Sequence, residues 1–405
     1  MGRIRFTNAN LLDGEHPAQS GSTVVIDGDR IVEVGSPGSV KPASQDQIVD
    51  LQGRTLMPGL VMGHYHSVYR EYGADGAMTM SNSPVEQAYI ALSNVQTALH
   101  CGYTSVVSAG THHSIDSQLA DAIDAGDVIG PRVISSSRNF MPVDEPIPGG
   151  TEGEEACMAS GPDSFREGAL RDLERGAKIL KIYATGGHGA SLSRSMTPDE
   201  IETMVSTAHE HGARVRAHVA GRDKVLECVR LGVDIIDHAD GADAECIEAF
   251  IEHDCFVLPS IYLLLRVAEL GGNVFDFETD LKAFKHMCQA LPDLVAAGVK
   301  LVPGDDFGVW QIPHGTYAEE LVCYVEHAHV SPLDVIKWST RYGGEMTGVA
   351  NLGTIAPGNL ADLLIVDGDP STDISILTQP ERLRAVIKNG AVVSGELVEY
   401  TAVAA

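Results

Sequence analysis

Short stretches with the period of two that marks a strand open the chain. Ile4-Arg5-Phe6-Thr7-Asn8-Ala9 and Thr23-Val24-Val25-Ile26 are followed by the turn Asp27-Gly28-Asp29 and by Ile31-Val32-Glu33-Val34. The same texture returns at the other end: Ala361-Asp362-Leu363-Leu364-Ile365-Val366, then Ala385-Val386-Ile387-Lys388, the turn Asn389-Gly390 and Ala391-Val392-Val393. Between them the pattern changes. Apolar runs near 56–63, 104–109, 132–135, 179–184, 214–219, 233–237, 255–259 and 299–303 predict eight strands. Helical patterns over 85–99, 164–176, 222–231, 243–253 and 316–327 separate most of them. The best signalled helix starts at Thr197-Pro198-Asp199-Glu200, a capping box with proline at the first helical position, and stops at Gly212.

Strands alternating with helices predict a parallel sheet, and eight units predict an α/β fold of the (β/α)8 TIM-barrel type, with a doubly wound open sheet as the alternative. No G-x-G-x-x-G follows an early strand, which weakens a dinucleotide-binding reading. The β-rich ends predict a small β-sandwich domain composed of residues 1–55 plus 352–405, around a catalytic barrel of residues 56–351. The segment 260–297 exceeds a simple βα unit and is expected to form extra helices over the pocket.

At 405 residues with 44% hydrophobic content, the chain can bury a large core. No run approaches the about 20 apolar residues that span a bilayer, and the first residues go straight into strand-like alternation without a signal-peptide core. Seven scattered cysteines without a C-x-x-C pair fit reduced thiols in a cytoplasmic protein. The net charge of −28 argues against nucleic acid and anionic membranes as partners. A small-molecule substrate is expected, and a homo-oligomer is plausible.

The polar residues at the predicted strand ends carry the chemistry, because a barrel of this type builds its site there. His64-Tyr65-His66 closes the first run, and alternation turns both imidazoles to one face. Lys181 lies inside the apolar fourth strand, where an ammonium is costly unless paired or modified. His218 ends the fifth strand and His238 the sixth; Gly304-Asp305-Asp306 follows the eighth. Singly, each has an ordinary structural explanation: a hydrogen-bonded histidine, a snorkelling or paired lysine, an aspartate capping a turn. Jointly, four histidines, a lysine and an aspartate at the same ends of five strands point to a metal site.

These stretches resemble the amidohydrolase superfamily over nearly the whole chain. They are Pro58-Gly59-Leu60 leading to His64-Tyr65-His66, Lys181-Ile182-Tyr183-Ala184-Thr185-Gly186-Gly187, His218-Val219-Ala220-Gly221, His238-Ala239-Asp240-Gly241, Gly304-Asp305-Asp306 and the return segment Leu352 to Leu363. The branch most resembled is imidazolonepropionase-like and Xaa-Pro-dipeptidase-like, whose members hydrolyse dipeptides, N-acyl amino acids, aryl amides, carbamates and phosphotriesters. The resemblance implies two divalent ions, most readily Zn2+ for this N/O donor set, with Mn2+ or Co2+ able to substitute. His64, His66 and Asp306 would hold the more buried ion and His218 and His238 the other. Lys181, carboxylated by CO2, would bridge them. Asp306 is preferred to Asp305 because it matches the third position of the family's Gly-Thr-Asp.

The implied reaction is hydrolysis of an amide-type bond by a metal-bridging hydroxide, with Asp306 as general base and then general acid. Tyr183, His188, Tyr262 and His314 are candidate substrate contacts. Two departures make substrate transfer from relatives unsafe. The branch's Gly-Gly-His-Gly after strand three is absent from Phe140-Met141-Pro142-Val143-Asp144-Glu145-Pro146, and Val107-Ser108 replaces an Arg-Asp after strand two. The alternatives are a mononuclear deaminase-like or cyclic-amide hydrolase, and a non-catalytic scaffold.

Overall fold

A computed structural model describes residues 2–71, 83–144, 156–187, 192–271 and 277–397. Five strands open the chain: β1 (Arg3–Leu11), β2 (Gln19–Asp27), β3 (Arg30–Gly35), β4 (Gln47–Asp50) and β5 (Thr55–Pro58). The middle supplies β6 (Leu60–Tyr65), β7 (Tyr103–Ser108), β8 (Arg132–Ile134), β9 (Asn139–Pro142) and β10 (Ala156–Ala159). It continues with β11 (Ile179–Tyr183), β12 (Arg214–Ala220), β13 (Ile235–Asp240), β14 (Phe256–Leu258) and β15 (Lys300–Leu301). Three more strands follow: β16 (Leu363–Val366), β17 (Leu383–Lys388) and β18 (Ala391–Gly395).

Both ends of the chain meet in one sheet, ordered β18-β17-β16-β5-β1-β2-β3, with β4 also paired to β1. The pairing is a single branched sheet, so the expected sandwich of two separate sheets is not what the ladder forms. The sheet has a core of its own, including Phe6, Val24, Leu56, Leu363 and Ile387.

The central strands pair in parallel as a three-stranded sheet, β6-β7-β8, and a seven-stranded sheet, β10-β9-β11-β12-β13-β14-β15. The ladder is therefore not one closed ring. Backbone bonds span both junctions: Gly63 N donates to Pro303 O at 2.8 Å, and Lys178 N and Ile179 N donate to Ser135 O at 2.9 and 3.2 Å. Strand residues are buried on both faces, as parallel sheets covered by helices require. Val61, Val107, Ile134, Ile179, Ile235 and Val302 form one core, while their strand neighbours Met62, Val106, Leu180 and Ile236 join the larger core under the helices.

The helices are mostly where the pattern places them. The helix α1 (Pro84–His100), α3 (Pro162–Glu174), α4 (Pro198–Glu210), α5 (Arg222–Arg230), α6 (Ala244–Glu252) and α9 (Tyr317–Ala328) match the sequence reading within a few residues. The Thr197 hydroxyl accepts from Glu200 N, and the Glu200 carboxylate takes the Thr197 amide, so the capping box is formed. The segment after residue 260 folds as α7 (Ile261–Leu270) and α8 (Phe277–Ala297), and α2 (Ile115–Asp124) was not anticipated.

One strand expectation is corrected. The apolar run 56–63 is two strands, because Thr55–Pro58 pairs antiparallel with β16 in the terminal sheet while Leu60–Tyr65 pairs with β7. Apolarity shows that a strand is buried but not which sheet buries it. All seven cysteines are free thiols, and among the described residues no helix is long and apolar enough to cross a membrane.

Candidate metal centre

The end of β6 is irregular in a way that matters. Met62 and Tyr65 both lie in the outer core, and the β6–β7 register shifts between them. That extra residue leaves His64 and His66 facing inward together. The turn after β15 brings Asp306 to them: its Oδ1 lies 2.9 Å from His64 Nε2 and 3.1 Å from His66 Nε2, and the two Nε2 atoms are 3.2 Å apart. The three donor atoms fall within 4.8 Å of one another. Both imidazoles are buried, and His66 Nδ1 has no hydrogen-bond partner.

Burial lowers the His66 pKa and so favours the neutral ring that coordinates metals, against the pull of Asp306. Burial alone would raise the Asp306 carboxyl, but the His64 charge and the bonds from His64 and His66 hold it well below the usual carboxylate range. Two buried imidazoles and a half-buried carboxylate converging on one point suit one divalent ion. Asp305 is turned away: its carboxylate accepts Leu263 N and Asp306 N, both at 2.9 Å, and burial beside Asp306 pushes its pKa up to about 7.

The approach of Asp306 depends on Gly304, where a methyl group would come within 2.1 Å of His64 N. Gly304→Ala is therefore expected to separate the two strand ends, costing about 1–3 kcal/mol of overpacking strain and most of the metal affinity. Thermal unfolding and zinc titration of the variant check both.

The second pair stands beside the first. His238 Nε2 lies 3.1 Å from His218 Nδ1, and His218 Nε2 is 3.1 Å from Gly187 O. The His238 ring centroid is 5.7 Å from that of His64. His238 and Ala239 both take left-handed backbone, with φ of 72° and 54°, strained for residues with side chains. The register with β12 shifts at the same place, which turns His238 toward His218.

Lys181 is fully buried, and its Nζ is ion-paired with Asp237. Asp237 also takes the Arg216 guanidinium at 2.6 and 3.1 Å and lies 3.4 Å from His64 Nδ1. Arg216 spends its remaining donor on Gly63 O and Ser108 O, at 3.1 and 3.0 Å. Burial alone would raise the Asp237 carboxyl, yet Arg216, Lys181 and His64 hold it well below normal. Burial lowers the Lys181 pKa, as does Arg216, against the attraction of Asp237.

The candidate substrate contacts fare differently. Tyr183 stacks on His218 with centroids 4.6 Å apart, which places it at the site. Tyr262 is half-buried near Phe307, its ring 6.3 Å away, and burial pushes its hydroxyl up to about 12. His314 has both ring nitrogens engaged, Nδ1 with Tyr317 Oη at 3.0 Å and Nε2 with Tyr69 O at 3.1 Å, so it braces the loop after β6. Burial drops its pKa to about 3. His188 lies outside the described residues. Sequence reasoning passed over Asp237, Arg216 and Asn139. The argument applied to Lys181, a polar side chain inside an apolar strand, would have flagged the first two.

Comparison with known proteins identifies the family of the chain. The family model described as "Amidohydrolase family" matches residues 55–393. Ochratoxinase of Aspergillus niger is 26% identical over 374 residues, covering 84% of this chain and 76% of the relative. Enamidase of Eubacterium barkeri is 23% identical over 367 residues, covering 88% and 83%. Among solved structures, a Xaa-Pro dipeptidase with methionine bound in its active site superposes with a TM-score of 0.85 at 26% identity, over 97% of this chain and 100% of that one. With the family model spanning most of the sequence, the chain belongs to the amidohydrolase family.

Proposed function

We propose that this chain is a binuclear metal-dependent hydrolase that cleaves an amide-type bond in a small molecule such as an N-acyl amino acid, dipeptide, aryl amide or carbamate. The observation that carries the reading is the convergence of His64, His66 and Asp306 beside the His218–His238 pair and the buried Lys181. The names of enamidase and Xaa-Pro dipeptidase among its relatives support an amide-type bond. In this reading β6, β7, the broken strand β8–β9, and β11 to β15 are the eight strands of a (β/α)8 barrel, and the two chain ends make the accessory domain.

When bound, the divalent ions, most readily Zn2+, supply Lewis acidity toward the scissile carbonyl and the attacking water. His64, His66 and Asp306 would hold one ion, His218 and His238 the other, and Lys181, carboxylated by CO2, would link them. The lowered Lys181 pKa suits this, because CO2 adds only to a neutral amine. Asp306 takes a proton from the attacking water and returns it to the leaving nitrogen. Tyr183, lying flat on His218, borders the substrate. The setting in this reading is cytoplasmic.

A mononuclear, deaminase-like reading draws on a specific observation: among the described residues one group of three donors converges, and Lys181 is paired with Asp237. Metal content separates the two. Purification without chelator is expected to yield close to two ions per chain, falling to one or none in Lys181→Ala. One ion per chain with no dependence on Lys181 favours the mononuclear enzyme, and no metal overturns both.

A further inference from the structure

Asn139, on β9, is 1% exposed, and neither its Oδ1 nor its Nδ2 has a hydrogen-bond partner. Buried amides are almost always satisfied, so an orphaned one calls for an explanation. We propose that Asn139 is a specificity-determining residue whose side-chain amide reads the N–H of the substrate's amide bond. The inference rests on the hydrolase reading above and narrows its substrate class.

The side chain faces the site. Phe140, next along the strand, packs outward against Phe165 with ring centroids 6.4 Å apart. Asn139 therefore points inward, on the face of its ladder partner Lys181. Its amide lies over Gly110, just beyond the end of β7, where a methyl group would come within 2.0 Å of Oδ1. The chain leaves that space free for it.

The amide is also held firmly. The strand breaks between β8 and β9, with Ser137 in left-handed backbone at φ 57°. Ser136 N and Ser137 N donate to Asp116 at 2.8 and 2.9 Å, and the Arg138 side chain donates to Asp172 at 2.6 and 3.0 Å. Both anchors sit on helices outside the strands, Asp116 on α2 and Asp172 on α3. A rigid frame carrying an unsatisfied group is how binding sites are pre-organised.

A carboxamide offers a donor and an acceptor side by side in one plane. The N–H and C=O of a trans amide point to opposite sides, so one carboxamide meets only one of them: Oδ1 accepts the N–H of a secondary amide or carbamate, and Nδ2 is left to donate to a second acceptor. Esters, phosphotriesters and prolyl amides lack that hydrogen. The structure thus points to secondary amides, dipeptides other than prolyl ones or N-acyl amino acids, as the preferred class. Sites built around such a bond discriminate strongly against analogues without it.

The test uses the zinc-loaded full chain with N-acetyl-L-phenylalanine, N-acetyl-L-leucine and N-acetylglycine, each beside the ester in which oxygen replaces the N–H. Dissociation constants come from ligand-observed NMR and kcat/KM from product release. Asn139→Ala and Asn139→Leu are expected to weaken amide binding at least about tenfold and ester binding less than about twofold, with zinc content and Tm unchanged. Asn139→Asp, which keeps the acceptor and loses the donor, should fall between. Equal losses on amide and ester, or no loss on either, overturn the proposal. Absence of amide binding by a wild-type chain holding two zinc ions also overturns it while leaving the hydrolase reading intact. A chain that holds no zinc overturns both.

Discussion

Asp306→Asn is expected to abolish turnover, lowering kcat/KM by about 10³–10⁴ on the best amide substrate. The substitution removes a proton acceptor, an effect usually within about 10²–10⁴, and also weakens a side chain that bonds both His64 and His66. Asparagine keeps the volume, so Tm should stay within a few degrees. Kinetics paired with zinc analysis check the prediction, and activity within tenfold of wild type would remove Asp306 from the mechanism. Asp305→Asn makes the contrast. That carboxylate accepts two backbone amides and does not reach the histidines, so the loss should be far smaller and should show mainly in stability.

Asp237→Leu is expected to be the most damaging change to the fold. One carboxylate compensates Arg216 and Lys181, both fully buried, and approaches His64. Removing one partner of a buried ion pair costs about 3–5 kcal/mol, because the charge left behind has no solvent. Urea unfolding should show a loss of that size or greater. The triple variant Lys181→Met/Arg216→Met/Asp237→Leu should recover a good part of it, since replacing a whole buried charge cluster by apolar groups is often nearly neutral. A single variant as stable as wild type would mean that the three charges are not coupled as their distances indicate.

What the sequence made legible and what it hid divide along physical lines. Local signals read well: Thr197 and Glu200 set the start of α4, and a strand-end position was enough to single out His64, His66, His218 and His238. Non-local pairing did not. Nothing in the run 56–63 states that its first half belongs with residues some 300 positions later. The need for a partner at Lys181 was readable from its apolar surroundings, but the identity of that partner, Asp237 on another strand, was not. Asn139 was invisible for a different reason. The break in strand three disturbs the alternation that tells inward from outward, and the anchors at Asp116 and Asp172 come from separate helices.

The terminal sheet also has a consequence for how the molecule assembles. Its central seam joins β5 to β16, and the Thr55 hydroxyl reaches Gly368 O, 313 residues away. Closing so long a loop in an open chain carries an entropy penalty that grows with the logarithm of its length, and contacts of this range slow folding. The strands β6 to β15 and their helices shorten that search when they form first, because they carry the two halves of the sheet to the same place. The amino-terminal strands then wait, with an unpaired edge at β5, until β16 leaves the ribosome. During synthesis that open edge is a place where another chain could pair in place of β16.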